Sequence, residues 1–255
     1  MSQAFLPRIL EQKAQEVAAL ELEEAHPLRK TYSFYDFLRQ NPQRLQVIAE
    51  VKKASPSLGN INLGVDIIAQ AKTYEANGAA MISVLTDEVF FKGHISYLQE
   101  ISAQVQVPTL AKDFIIDEKQ IVRSLNAGAT VILLIVAALP EARLKELYDF
   151  ATGLGLEVLV ETHDLAELEV AHRIGAKIIG VNNRNLATFE VDLQTSLDLA
   201  PRFEDQPVYI SESAIFSGQD AARLAPFFDG ILVGTALMTA DDVAGRIKEL
   251  QVDKG

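Results

Sequence analysis

Eight short apolar runs rich in β-branched residues, separated by amphipathic stretches, constrain the fold of this 255-residue chain more than any other feature. They are VIAEV (47–51), AMISVL (80–85), PTLAKDF (108–114), TVILLIV (130–136), EVLVET (157–162), KIIGVNN (177–183), PVYISES (207–213) and GILVGT (230–235). Their starts recur at intervals of roughly 20–35 residues, the length that one strand, one helix and two short loops occupy. The runs lack clean polar–apolar alternation, so each strand is expected to be buried on both faces, as in a parallel sheet covered by helices. Between them, helical periodicity over 67–77, 119–126 and 165–174 stops at Gly78, Gly128 and Gly175. An α/β fold follows, and eight such units predict a closed (β/α)8 TIM barrel. A doubly wound open sheet is the alternative, but no GxGxxG turn follows the first run.

Residues 1–46 lie outside the repeat and read as an N-terminal helical extension of one barrel domain spanning 1–255. Leu6, Ile9, Leu10, Lys13, Ala14, Val17 and Leu20 trace one helical face with Lys13 at its edge, and Phe34, Phe37 and Leu38 suggest a second short helix. The extension is expected either to plug the barrel bottom or to cover the mouth. The acidic run Glu21 to Glu24 reads as a solvated helix face.

The formal net charge of −12 sets the chain apart from general binders of nucleic acid or anionic membranes, because its summed field repels polyanions. A small anionic ligand remains compatible if lysines, arginines and backbone N–H groups cluster locally. With no Cys there is no disulfide framework, thiolate nucleophile or Cys-ligated metal. Charged residues Arg8, Glu11 and Lys13 stand where a signal peptide would carry its apolar core, and no run approaches membrane-spanning length. A soluble, cytoplasmic protein is expected.

In such a barrel, chemistry sits at the carboxyl ends of the strands. The first run ends in Glu50 and Lys52, the third in Lys112, the fifth in Glu161, the sixth in Asn182, the seventh in Ser211, Glu212 and Ser213, and the eighth in Gly234-Thr235. Two acids and two lysines of that series, Glu50, Glu161, Lys52 and Lys112, converging from several strand ends are costly unless they pair and act. Lys53, of opposite parity to Lys52, is expected to face away. His163 and the scattered His26, His94 and His172 have no HxH or HExxH spacing, so no metal site is expected.

The ordered segments AEVKKASPS (49–57), KDF (112–114), LLIV (133–136), VETHD (160–164), GVNNRNL (180–186), ISES (210–213) and VGTALM (233–238) resemble the successive signatures of the indole-3-glycerol phosphate synthase family. The similarity runs from about Phe5 to the last helix. It implies a (β/α)8 enzyme of tryptophan biosynthesis that needs no cofactor and closes 1-(2-carboxyphenylamino)-1-deoxyribulose 5-phosphate into an indole ring with loss of CO2 and water. The resemblance makes Lys112 the general acid on the ribulose carbonyl oxygen. It draws the second acid and the base from Lys52, Glu50 and Glu161, and lets Asn182 and Ser213 orient substrate and acids. Phosphate is expected at the N–H groups of Ala214, Gly234 and Thr235 with Ser55 from the first loop. Phe91, Phe114 and Leu133 are expected against the anthranilate ring, and Arg184 is placed with the substrate-binding set. The two lysines, sharing one mouth, are expected to depress each other's pKa while the glutamates hold them in place.

Three departures stand out against the family pattern. Ser213-Ala214 replaces a usual Ser-Gly, so a positive φ at Ala214 would cost roughly 1 kcal/mol. Leu58 stands where many relatives carry Lys, and Ala111 replaces a frequent Arg and is expected to point to the helix layer. Two rival readings remain: a Schiff-base aldolase barrel using Lys52 or Lys112, and a non-catalytic binder of a phosphorylated ligand or scaffold. Whether the chain is monomeric or joins another tryptophan-pathway enzyme is open at this point.

Overall fold

The computed structural model describes residues 5–28 and 32–254. Eight parallel strands close into a barrel: β1 (Gln46–Val51), β2 (Met81–Leu85), β3 (Thr109–Lys112), β4 (Val131–Ile135), β5 (Glu157–Thr162), β6 (Ile178–Asn182), β7 (Val208–Glu212) and β8 (Gly230–Val233). Each strand pairs with its sequence neighbours, and β8 closes on β1 with Ile48 opposite Leu232. The apolar runs overshoot the strands at their carboxyl ends. Asp113-Phe114, Asn183, Ser213 and Gly234-Thr235 have already turned out of the ladder into the loops.

Strand parity divides the core into two shells. Ile48, Met81, Leu110, Leu133, Leu159, Ile178, Ile210 and Leu232 fill the barrel interior, whereas Val47, Ala49, Val51, Ile82, Val84, Ala111, Ile132 and Ile179 pack against the helices. Ala111 therefore points to the helix layer, as its parity requires. The predicted helices occupy Ile67–Ala76, Glu118–Asn126 and Leu165–Arg173. Gly78 and Gly128 take φ of 87° and 96° just beyond the first two, a backbone region open to glycine at little cost. No helix among the described residues is long and apolar enough to cross a membrane.

The extension supplies both covers, one from each helix. The second helix, α2 (Phe34–Gln40), plugs the bottom: Phe34 and Leu38 are buried and belong to the interior cluster. Its N-terminus is pinned by Glu157 at the start of β5, whose carboxylate accepts Ser33 Oγ at 2.9 Å, Phe34 N at 2.7 Å and Tyr35 N at 2.9 Å. An acid there satisfies orphan N–H groups and suits the positive end of the helix dipole. The first helix, α1 (Phe5–Ala19), lies over the mouth, where Phe5, Leu6 and Ile9 face the cavity.

Two expectations for this segment are corrected. Lys13 is not at the edge of the apolar face but at its buried centre, with Nζ 2.7 Å from Asp87 Oδ2 and 2.9 Å from Asp113 Oδ1. A face with one cation among apolar residues looks amphipathic in sequence, and only the waiting carboxylates on the barrel rim turn the cation inward. The run Glu21 to Glu24 is exposed but not helical, since α1 ends at Ala19. Carboxylates crowding a helix C-terminus oppose its dipole, and Pro27 prevents continuation.

Candidate active site

The inward positions at the carboxyl ends of the strands are polar where those below are apolar. Lys112 on β3 stands between two carboxylates, its Nζ 2.9 Å from Glu161 Oε2 on β5 and 2.6 Å from Glu212 Oε2 on β7. Lys52, just past β1, pairs with Glu50 at 2.8 Å. Ser83 Oγ donates to Glu50 at 3.4 Å, and Asn182 Nδ2 on β6 donates to Glu161 Oε1 at 3.1 Å. Two glycines make this crowding feasible. A Cβ at Gly234 would lie 2.4 Å from Glu50 Oε1, and one at Gly180 would lie 2.2 Å from Glu212 Oε1.

The electrostatics differ from the mutual depression expected of the two lysines. Burial alone would lower the pKa of Lys112, but Glu161, Glu212 and Glu50 outweigh it and hold the ammonium above the ordinary lysine range. The expectation failed because it counted the cations and left out Glu212. The two carboxylates on Lys112 are pushed apart. Burial favours the neutral form of Glu161, yet Lys112 and His163 overcome it and hold the group well below the usual carboxylate range. For Glu212, burial dominates, Lys112 compensates only in part, and Glu161 adds repulsion, so its pKa is pushed up to about 7.

The walls are apolar on one side and backbone-rich on the other. Phe91 and Phe114 line the cavity with ring centroids 6.0 Å apart, and buried Leu133 lies below them on β4. Phe91 N and Phe90 N donate to Asp87 Oδ1, and Phe114 N donates to Asp113 Oδ1. The ion cluster around Lys13 thus fixes the aromatic wall as well as the roof. Opposite, Ser213, Ala214, Gly234 and Thr235 border the cavity. Ser213 and Ala214 have φ of 65° and 59°, so the residue expected to be strained does sit in the left-handed region. Arg184 also borders the cavity and ties two loops together, its guanidinium donating to Ser57 Oγ at 3.2 Å and Phe189 O at 3.0 Å.

A family model described as indole-3-glycerol phosphate synthase matches residues 6–250. The chain belongs to the indole-3-glycerol phosphate synthase family. Proteins of that name from Streptococcus thermophilus (strain ATCC BAA-491 / LMD-9) and Streptococcus pneumoniae (strain CGSP14) are 78% and 76% identical to it over 255 residues, covering all of both chains. Among solved structures, 3-hexulose-6-phosphate synthase from Salmonella typhimurium is similar with a TM-score of 0.66 at 15% identity, over 81% of this chain and 96% of that one, a likeness of fold.

Within this member of the indole-3-glycerol phosphate synthase family, the cavity brings together Glu50, Lys52, Lys112, Glu161, Asn182 and Ser213 with Phe91, Phe114, Leu133, Arg184, Ala214, Gly234 and Thr235. Ser55 stands apart. It lies in a short hairpin of Ala54–Ser55 with Gly59–Asn60, is buried, and turns its hydroxyl to Ser57 Oγ and Leu58 N rather than into the cavity. Lys53 faces away, over the Tyr97 ring. Leu58 is exposed at the hairpin tip. The residue the sequence reading left out of the set is Glu212. Its signal was parity: Val208, Ile210 and Glu212 share the inward face of β7, whereas Ser211 points outward to Asn183 and Ser196.

Proposed function

We propose that this chain, as one barrel domain over 1–255 acting in the cytoplasm, converts 1-(2-carboxyphenylamino)-1-deoxyribulose 5-phosphate to indole-3-glycerol phosphate, CO2 and water. The observation that carries the reading is the buried Lys112 ammonium, held on Glu161 and Glu212 between an aromatic wall and the loops of Ser213-Ala214 and Gly234-Thr235. The substrate has one aromatic ring, one ketone and one phosphate, which match the Phe91–Phe114 wall, Lys112 and the Ala214/Gly234/Thr235 loops. The ring carbon bearing the carboxylate attacks the ketone, the new C–C bond forms, and Lys112 gives its proton to the carbonyl oxygen. Its resting state favours this role, since an acid must begin the step protonated.

Loss of CO2 returns the bonding electrons to the ring and restores aromaticity. The hydroxyl then leaves as water on receiving a proton. Lys52, held by Glu50, is the second ammonium in reach, and the final proton goes to a carboxylate drawn from Glu50 and Glu161. Asn182 fixes the Glu161 carboxylate, and Ser213 and Arg184 contribute to substrate binding beside the reacting groups. Ser55 bonds within its own hairpin and is not part of the lining.

Mixing the protein with the carboxyphenylamino substrate tests the reaction. Product indole fluorescence is read easily because the chain contains no Trp. Steady production of indole-3-glycerol phosphate is expected. No signal, together with a borohydride-trapped adduct on Lys112, would replace the reading with the aldolase one. Tight phosphate-analogue binding without turnover would replace it with the binder. A lysine whose pKa is held up by carboxylates is a poor amine nucleophile, which counts against Schiff-base chemistry at Lys112.

A further inference from the structure

His163 follows β5 directly and precedes Asp164, the N-cap of the helix Leu165–Arg173. Its side chain is largely buried between two carboxylates: Nδ1 is hydrogen-bonded to Glu167 Oε2 at 2.9 Å, while Nε2 lies 3.2 Å from Glu161 Oε1 at ion-pair distance but outside hydrogen-bond alignment. The same Glu167 oxygen accepts the His163 backbone N–H at 2.8 Å, so one side chain fixes both ring and main chain. A neutral imidazole has a single N–H, and either tautomer would leave an uncharged, unprotonated nitrogen within 3.2 Å of a carboxylate oxygen. The geometry therefore suits the imidazolium. Burial opposes that charge, but Glu161 and Glu167 overcome it and push the His163 pKa up to about 10.

This contact makes the two carboxylates on Lys112 unlike. Glu161 has both oxygens hydrogen-bonded, Oε2 by Lys112 and Oε1 by Asn182, and has the His163 ring beside Oε1 at ion-pair distance. Glu212 has Oε2 on Lys112, but its buried Oε1 has no hydrogen-bond partner among the described residues. The charged groups facing this set are Glu50 from β1, Lys112 from β3 and Glu212 from β7 on the barrel side, with Glu167 on the helix side. Asp164, Arg184, Glu190 and Asp192 border the groove that His163 also lines.

We propose that His163 is a positioning residue of the reaction, holding Glu161 in its ionised form beside Lys112. The inference rests on the proposed reaction in one respect, the use of ionised Glu161 as a base. Without the imidazolium, Glu161 keeps Lys112 and Asn182 but loses a neighbouring cation, and a proton added at low pH is shared more evenly with Glu212. Glu161 then loses its ionised form at higher pH than in the parent.

The test combines two measurements on the full chain. In parent protein carrying 15N-labelled histidine, both ring nitrogens of His163 should keep imidazolium-type NMR shifts through pH 8. In His163→Gln, the acid limb of the kcat/KM profile should move up by about one pH unit, so that the ratio of variant to parent falls by up to about tenfold across that limb and levels out above it, with KM changed less than about threefold. His163→Lys should return the limb toward the parent position. A purely structural role would lower kcat by one factor at every pH. An imidazole titrating near its ordinary value of about 6.5, or an acid limb unmoved in His163→Gln, would overturn the proposal. Failure of the parent to form product would count against the proposed reaction instead, and the imidazole titration, which needs no substrate, would still decide the role of His163.

Discussion

Among the described residues, Lys13 and Lys112 are each buried against two carboxylates of the barrel, and of these two lysines only Lys112 opens onto a cavity. Lys13, on α1, is 1% exposed between Asp87 and Asp113, while the Lys112 side chain retains 14% exposure between Glu161 and Glu212. The two clusters are neighbours in the chain as well as in space. Lys112 and Asp113 are consecutive, and the end of β3 sends one into the barrel and the other toward α1. In both, burial disfavours the ammonium and the carboxylates more than compensate. What separates them is access. The closed cluster ties roof to wall through Phe90, Phe91 and Phe114, and the open one presents a proton to whatever enters.

Breaking the closed cluster should give the largest effect on stability. Lys13→Met strands Asp87 and Asp113 without a cation, and a loss of about 3–5 kcal/mol in urea unfolding is expected. Adding Asp113→Asn should recover much of it, and an unchanged unfolding midpoint in the single variant would show that the ion pair does not hold the roof. Breaking the open cluster should instead act on rate. Lys112→Ala is expected to keep the fold and lose at least about a hundredfold in kcat, roughly 2.7 kcal/mol on the barrier. Glu212, already titrating near neutrality, can take a proton to neutralise the vacated site. Near-normal turnover in Lys112→Ala would remove it from the acid role.

Acid–base linkage sharpens the contrast further. The folded-state pKa of Glu212 is raised from 4.5 to about 7, so folding favours its protonated form. The stability it contributes is full below about pH 4.5 and is lost as pH rises through about 7. Glu212→Gln should therefore exceed the parent in stability at pH 8.5 by about 1–2 kcal/mol while turning over more slowly. Thermal unfolding across pH 5–9 checks this, and parallel pH curves for the two proteins would contradict it. The smallest effect is expected beside the mouth. Ala214→Gly relieves one left-handed alanine and should gain about 0.5–1 kcal/mol, read from unfolding midpoints at pH 7.

The barrel was legible because burial on both faces leaves unbroken apolar runs, and all eight runs became strands. Parity within those runs also placed Glu50, Lys52 and Lys112 on one side and Lys53 and Ala111 on the other. Features that depend on a partner far along the chain were harder to read. Lys13 looked peripheral because Asp87 and Asp113 lie 74 and 100 residues away. The same blindness hid the proton-sharing of Glu212, which depends on Lys112 from β3 and Glu161 from β5. Ser55 sits in a motif aimed at the site, yet a two-residue hairpin turns its hydroxyl aside, a local detail with no periodic signature. His163, without metal-ligand spacing, became informative only when the ring was seen between two acids.

The floor plug carries a consequence for biosynthesis. Phe34 and Leu38 belong to an interior cluster that is complete only with Leu232, and β1 finds one of its two partners only in β8. At ordinary synthesis rates, roughly ten to forty seconds separate the emergence of Phe34 from that of Leu232. The nascent N-terminus therefore waits, apolar and unpaired, for the last strand to be made. Chaperone dependence in this protein should concentrate on its first fifty residues, and an end-to-end rearrangement placing β8 before α2 would shorten the wait.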